Sequence, residues 1–124
     1  MGLLNPNPKL EPGENLAWKC LANHVAGPSY ALYGMQAAAG GRLVVTDRRM
    51  FFQPSRADRA VGAKAWTCPL VDVEGIETVG KDSEIFAGGM RDRLGVRTKN
   101  GLEVFVVNKL QTTQNKLRAL LGVT

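Results

Sequence analysis

The residues of this chain best suited to chemistry are cations gathered around one apolar run. Arg48, Arg49, Arg56, Arg59 and Lys64 lie close together in sequence, and residues 54–64 contain a single acid, Asp58. Arginine suits phosphate because its planar fork gives two directed, charge-assisted bonds. If residues 54–64 fold over one rim, these side chains meet an anionic headgroup or a nucleic-acid backbone. The plainer expectation is a solvated turn and a basic loop, since charge runs are usually surface. Arg48 and Arg49 fall at a strand turn, where polar residues belong anyway, and an arginine there is expected to pair with a carboxylate such as Asp72.

A second candidate is the uncharged stretch 27–40, with Tyr30, Leu32, Tyr33 and Met35. Tyrosine's amphipathic ring is at home at a membrane interface. The same side chains equally suit the open edge of the fold, or a contact with another subunit or a protein partner.

Catalysis is not expected. His24, the one histidine, follows Cys20 by four residues. On a strand that spacing is about 13 Å, too far for a thiolate–imidazole pair. The two cysteines, Cys20 and Cys68, lack metal-ligand spacing, so no metal is expected and a buried, reduced pair is the default, with a disulfide left open. Phosphate-cradling and dinucleotide fingerprints are absent, and the acids are scattered singly. No cofactor is expected. Gly40-Gly41 and Gly88-Gly89 read as turn glycines.

Length and composition fit one domain with its own core, needing neither disulfide nor metal. The net charge of +5 favours acidic surfaces but says nothing about fold. No apolar run approaches the roughly 20 residues that span a bilayer, no signal peptide opens the chain, and Pro6 stands where a myristoylation signal wants Ser or Thr. A cytoplasmic protein, at most peripheral at the inner membrane face, is expected.

Periodicity supplies the elements that position these residues. Residues 1–13, with Pro6, Pro8 and Pro12 over 5–13, predict an extended, loosely held lead-in before a single domain over 14–124. Residues 16–25 alternate as a strand, placing Leu16, Trp18, Cys20 and Ala22 on one face. Residues 41–54, GRLVVTDRRMFFQP, read as two short strands around Asp47-Arg48. That register sets Val45 opposite Met50 and Leu43 opposite Phe52, with Val44 and Phe51 paired on the other face. Both faces are apolar, so both need cover. A longer loop around a type I turn is equally open, since Asp-Arg is not the Asn-Gly signal.

A strand is expected from Trp66 to Pro69-Leu70, and another carrying Val73, Ile76 and Val79. Residues 93–107 form a hairpin whose Asn100-Gly101 suits a type I′ turn, setting Val96 opposite Phe105 and Leu94 opposite Val107. A helix from about Thr112 to Leu121 follows, with a stripe of Leu110, Leu117, Leu120 and Leu121. Thr112 or Asn108 would cap it, and Gly122 would end it. Six or seven strands and one helix predict a mainly β protein: a small antiparallel barrel, or two packed sheets, covered by a C-terminal α-helix.

The order of motifs resembles the GRAM family of the pleckstrin-homology-like superfold. The resemblance rests on Pro12-Gly13-Glu14, on Gly41-Arg42-Leu43-Val44-Val45-Thr46-Asp47-Arg48-Arg49 with Phe51-Phe52, and on Trp66-Thr67-Cys68-Pro69-Leu70-Val71-Asp72-Val73. Arg93-Leu94-Gly95-Val96, Lys99-Asn100-Gly101 and Val104-Phe105-Val106-Val107 complete it, so it covers nearly the whole chain. It implies a seven-stranded barrel of two near-orthogonal sheets with a C-terminal helix, and a non-catalytic module that often binds anionic phospholipid. Many members of this superfold bind protein instead. One departure is plain: stretch 27–40 lacks the cations that lipid-binding relatives gather after the first strand. The reading is therefore a binding module recruited to anionic lipid through basic loops. Protein interaction or self-assembly through 27–40 is the alternative, and nucleic-acid binding the weaker one, for want of a basic stripe with exposed aromatics.

Overall fold

The computed structural model describes residues 7–25, 38–56, 60, 65–80 and 92–123. Seven antiparallel strands run β1 Leu16–Val25, β2 Ala38–Thr46, β3 Arg49–Pro54, β4 Trp66–Pro69, β5 Val73–Val79, β6 Arg93–Thr98 and β7 Gly101–Val107. The helix α1, Leu110–Leu121, follows. The strands form one sheet in the order β4-β3-β2-β1-β7-β6-β5. Two separate near-orthogonal sheets are not what these pairings show, and the barrel is not closed. The reason lies between the terminal strands. β4 ends at Pro69, and the following 3-10 turn, Leu70–Asp72, uses its backbone elsewhere: Leu70 N donates to Arg48 O, and Asp72 O accepts from Lys99 N.

One face of all seven strands nevertheless shares a core. Ala22, Leu43, Met50, Phe52, Cys68, Ile76, Leu94, Phe105 and Leu117 belong to one buried cluster. The sheet therefore curls around its own apolar face, and Leu117 of α1 plugs it. Helix and sheet are further tied where Gln114 Nε2 donates to Thr78 Oγ1 at 2.8 Å and Arg118 Nη2 donates to Ile76 O at 3.1 Å.

The central hairpin has the expected register. Val45 pairs with Met50, Val44 with Phe51 and Leu43 with Phe52, around a tip of Asp47-Arg48. Its outer face is covered too, with Val44 fully buried and Phe51 nearly so. β2 starts earlier than expected, at Ala38, so Gly40 and Gly41 lie in a strand and not in a turn. A Cβ on Gly41 would stand 2.2 Å from Gln53 O, which explains the glycine by close backbone approach.

Two expectations need correction. The β6–β7 hairpin turns at Lys99-Asn100, with positive φ at Gly101 alone, so Leu94 pairs with Phe105 and Val96 with Glu103. Thr98 Oγ1 accepts from Asn100 N and donates to Gly101 O, holding this turn in place of a type I′ turn at Asn100-Gly101. A shift of two residues preserves the inward phase but sets the half-buried Glu103, in place of Phe105, opposite Val96. The helix also begins at Leu110, not near Thr112. Its N-cap is Lys109 in the left-handed region (φ 51°), and Thr113 Oγ1 donates to Asn108 O. Gly122 closes the helix as expected, at φ 67°.

Leu117 has no exposed surface and joins the helix to the core. Leu117→Ala should cost about 3 kcal/mol through lost burial and the cavity left behind, measured by urea denaturation. Near-native stability would mean that α1 is not docked.

Candidate functional site

The Thr46–Arg49 turn is a network built on one buried carboxylate. Glu14, with no exposed side-chain surface, accepts from Arg49 Nε at 2.8 Å and Arg49 Nη2 at 3.0 Å. Thr46 Oγ1 donates to Glu14 Oε2 at 2.6 Å while accepting from the backbone N–H groups of Arg48 and Arg49. Glu14 reaches this position through the turn Glu11-Pro12-Gly13-Glu14, closed by Glu14 N donating to Glu11 O, with Gly13 at φ 81°. Proline before a positive-φ glycine is the signature of a type II turn. The Arg49 guanidinium also stacks on Phe51, 4.3 Å from the ring centroid, and donates to Lys9 O. Arg49 is thus committed to structure. Its partner is Glu14, not Asp72, which pairs with Lys99.

This network fastens the lead-in. Gln53, outward on β3, accepts from Lys9 N and donates to Asn7 O, and Asn15 binds the Asp47 carboxylate through both its backbone and side-chain N–H groups. Residues 7–15 therefore lie along the hairpin's outer face, tied to it by side-chain hydrogen bonds.

Bidentate pairing with Arg49 holds the Glu14 carboxyl at about 2, far below its ordinary 4.5, against the opposing effect of burial. The unfolded chain protonates near 4.5. The stabilisation is therefore complete above that pH and drains away as pH falls from 4.5 towards 2. Glu14→Gln should lose about 3 kcal/mol at pH 7 by stranding Arg49. Its Tm should also fall less steeply than the wild type's between pH 4.5 and 2. Parallel acid profiles would overturn this assignment.

A second cluster lies where β1 and β3 end and β4 begins. His24 Nε2 and Glu103 Oε1 are 2.7 Å apart, joining β1 to β7. The imidazole stacks on Phe105 at 4.7 Å between centroids, with Phe52 at 5.2 Å and Trp66 at 6.4 Å. The two strands pair there through only Ala22–Val107, Asn23–Val106 and His24–Phe105. A hydrogen-bonded pair among aromatic rings suits a clamp between the two halves of the sheet. Sequence reasoning missed both Glu14 and this pair. The signal was a carboxylate, Glu103, in the same alternating phase as Phe105 and Val107, and a histidine in the inward phase of β1.

Cys20 and Cys68 are free thiols. Burial pushes the Cys20 thiol up to about 12, and burial raises Cys68 as well, so neither is a thiolate at neutral pH. Iodoacetamide at pH 7 should leave both unmodified in the native protein and label both in urea; rapid native labelling would contradict this burial. Among the described residues no cluster of three or more His, Cys, Asp or Glu is placed to hold a metal. No helix among them is long and apolar enough to cross a membrane.

The cations expected to act together are divided. Arg48 and Arg49 stand at the start of β3, whereas Arg56 is exposed beyond its far end, roughly 17 Å of strand away. Arg48 Nη1 reaches Pro12 O at 3.4 Å. Arg59, Lys64, Tyr30, Leu32, Tyr33 and Met35 lie outside the described residues.

Solved structures similar to this chain include the following two. The C-terminal domain of an unknown protein from Leishmania infantum matches with a TM-score of 0.59 and 17% identity, over 89% of this chain and 86% of that one. The hSac2 domain from the human phosphoinositide phosphatase Sac2 matches with a TM-score of 0.54 and 16% identity, over 90% of this chain and 70% of that one. No protein-family model matches the chain, and no curated protein does. At such identities the likeness is one of fold alone, a β-rich antiparallel sheet with a C-terminal helix.

Proposed function

We propose that this protein is a non-catalytic binding module of the GRAM type that docks on anionic phospholipid. The observation that carries the reading is Arg56. It is exposed at the end of the sheet where β1 and β3 finish, with no ion-pair partner among the described residues. Arg59 and Lys64 follow it in the same connection and add charge of the same sign. The net charge of +5 favours a negative surface. The fold likeness to a domain of a phosphoinositide phosphatase supports a lipid ligand. In this reading the protein is cytoplasmic and peripheral at the inner membrane face, needs no cofactor, and works by recruitment.

Co-sedimentation with phosphatidylcholine vesicles carrying rising fractions of phosphatidylserine or a phosphoinositide tests this. Binding should rise with anionic lipid and weaken with salt. Arg56→Ala/Arg59→Ala/Lys64→Ala should lower affinity about a hundredfold, at about 1 kcal/mol per cation near a charged membrane. Binding indifferent to lipid charge would overturn the proposal.

A further inference from the structure

The outer face of β1 and β2 is divided by the lead-in. On the β3 side, Val44, Phe51 and Gln53 are covered. On the β1 side, Lys19 and Asn23 are exposed, and Leu21 stands 58% exposed, more than any other large apolar residue of the described strands. Register places Leu21 beside Arg42 and Lys19 beside Val44, so Lys19 and Arg42 flank the leucine on one surface.

Arg42 is the unusual member. Its Nη1 is shut off from solvent without a hydrogen-bond partner, and no ion pair among the described residues answers its charge. The sequences of β1, β2 and β3 contain no carboxylate at all. The nearest acids of the lead-in are Glu14, which is taken up by Arg49, and Glu11, whose field falls on the same arginine. Near Asn15, the Asp47 carboxylate is likewise held by hydrogen bonds at the turn. The face therefore carries positive charge around a protruding leucine, with nothing of opposite sign in its own strands.

We infer that this face is the protein's membrane-contact surface, laid flat on an anionic bilayer with Leu21 entering the interface, Lys19 meeting lipid phosphates and the half-buried Arg42 adding its uncompensated charge beside them. Cations with long apolar stems around an aliphatic side chain match the layered chemistry of that interface. The face runs up to the sheet end where Arg56 stands, so both can meet one surface. This inference rests on the membrane reading above and adds its orientation.

The test compares wild type, Lys19→Glu/Leu21→Asp and the triple variant of residues 56, 59 and 64. The probe is a phosphatidylcholine vesicle with about 30% phosphatidylserine, enough for a well-developed negative surface potential. The face variant should bind at least about tenfold more weakly, the loss of one cation and its replacement by an anion each counting near the surface. Both substituted side chains are exposed, and an unchanged Tm confirms folding; Lys19→Gln serves if it shifts. In Leu21→Trp, the fluorescence added to that of Trp18 and Trp66 should be quenched by lipids brominated on the acyl chain. Undiminished binding by the face variant, or no quenching of the fluorescence that Leu21→Trp adds, overturns this surface while leaving the module's lipid binding intact. Wild type that fails to sediment overturns both. Equally tight binding of wild type to soluble polyglutamate overturns the membrane in favour of an acidic polypeptide.

Discussion

The rest of the structure depends on the Glu14 carboxylate. A fully buried anion is tolerated only where directed donors replace its water. Here Arg49 supplies two, Thr46 one and the Glu11 backbone another. Meeting that demand fixes three things together: the turn over Glu11–Glu14, the tip of the β2–β3 hairpin and the path of the lead-in. Thr46 is the pivot, because one hydroxyl both answers Glu14 and gathers the two backbone N–H groups of the turn. The Asp-Arg tip thus closes without the positive-φ residues that a primed turn needs, since a side chain takes the place of the missing glycine.

The local parts of this fold were legible. Alternation at Leu43, Val45, Met50 and Phe52 carries the hairpin register, because a slip of one residue would take Met50 and Phe52 off the face they share with Leu43 and Val45. Gly122 was legible for the same local reason, as the left-handed residue that ends a helix. The β6–β7 register was not. A slip of two residues keeps the phase, so the pattern does not choose between Val96–Phe105 and Val96–Glu103, and Thr98 decides by bonding across the turn. Lys109 as a left-handed N-cap carries no sequence signature, because the tight passage from β7 into α1 imposes it.

The candidate sites divide along the same line. Arg48 and Arg49 are neighbours of Arg56 in sequence but stand at opposite ends of β3, and strand geometry alone forbids their convergence. Glu14–Arg49 and His24–Glu103 join residues 35 and 79 positions apart, which pattern alone does not pair. What was legible was the excess of cations. Which of them are committed to internal carboxylates emerged only from the folded chain: Arg49 to Glu14, Arg97 to Glu77 and Lys99 to Asp72.

An unclosed sheet leaves two rims, and both are blunted. β5 gives its Ile76 carbonyl to Arg118, so α1 occupies part of the place a further strand would take. β4 is four residues long and ends at Pro69, which has no N–H to offer. The β4 rim is too short to be a long template and α1 interrupts the β5 rim at Ile76, so strand addition, a route by which open sheets aggregate, is hindered at both. The two strands furthest from the centre thus direct assembly away from the sheet's edges and towards its faces and loops.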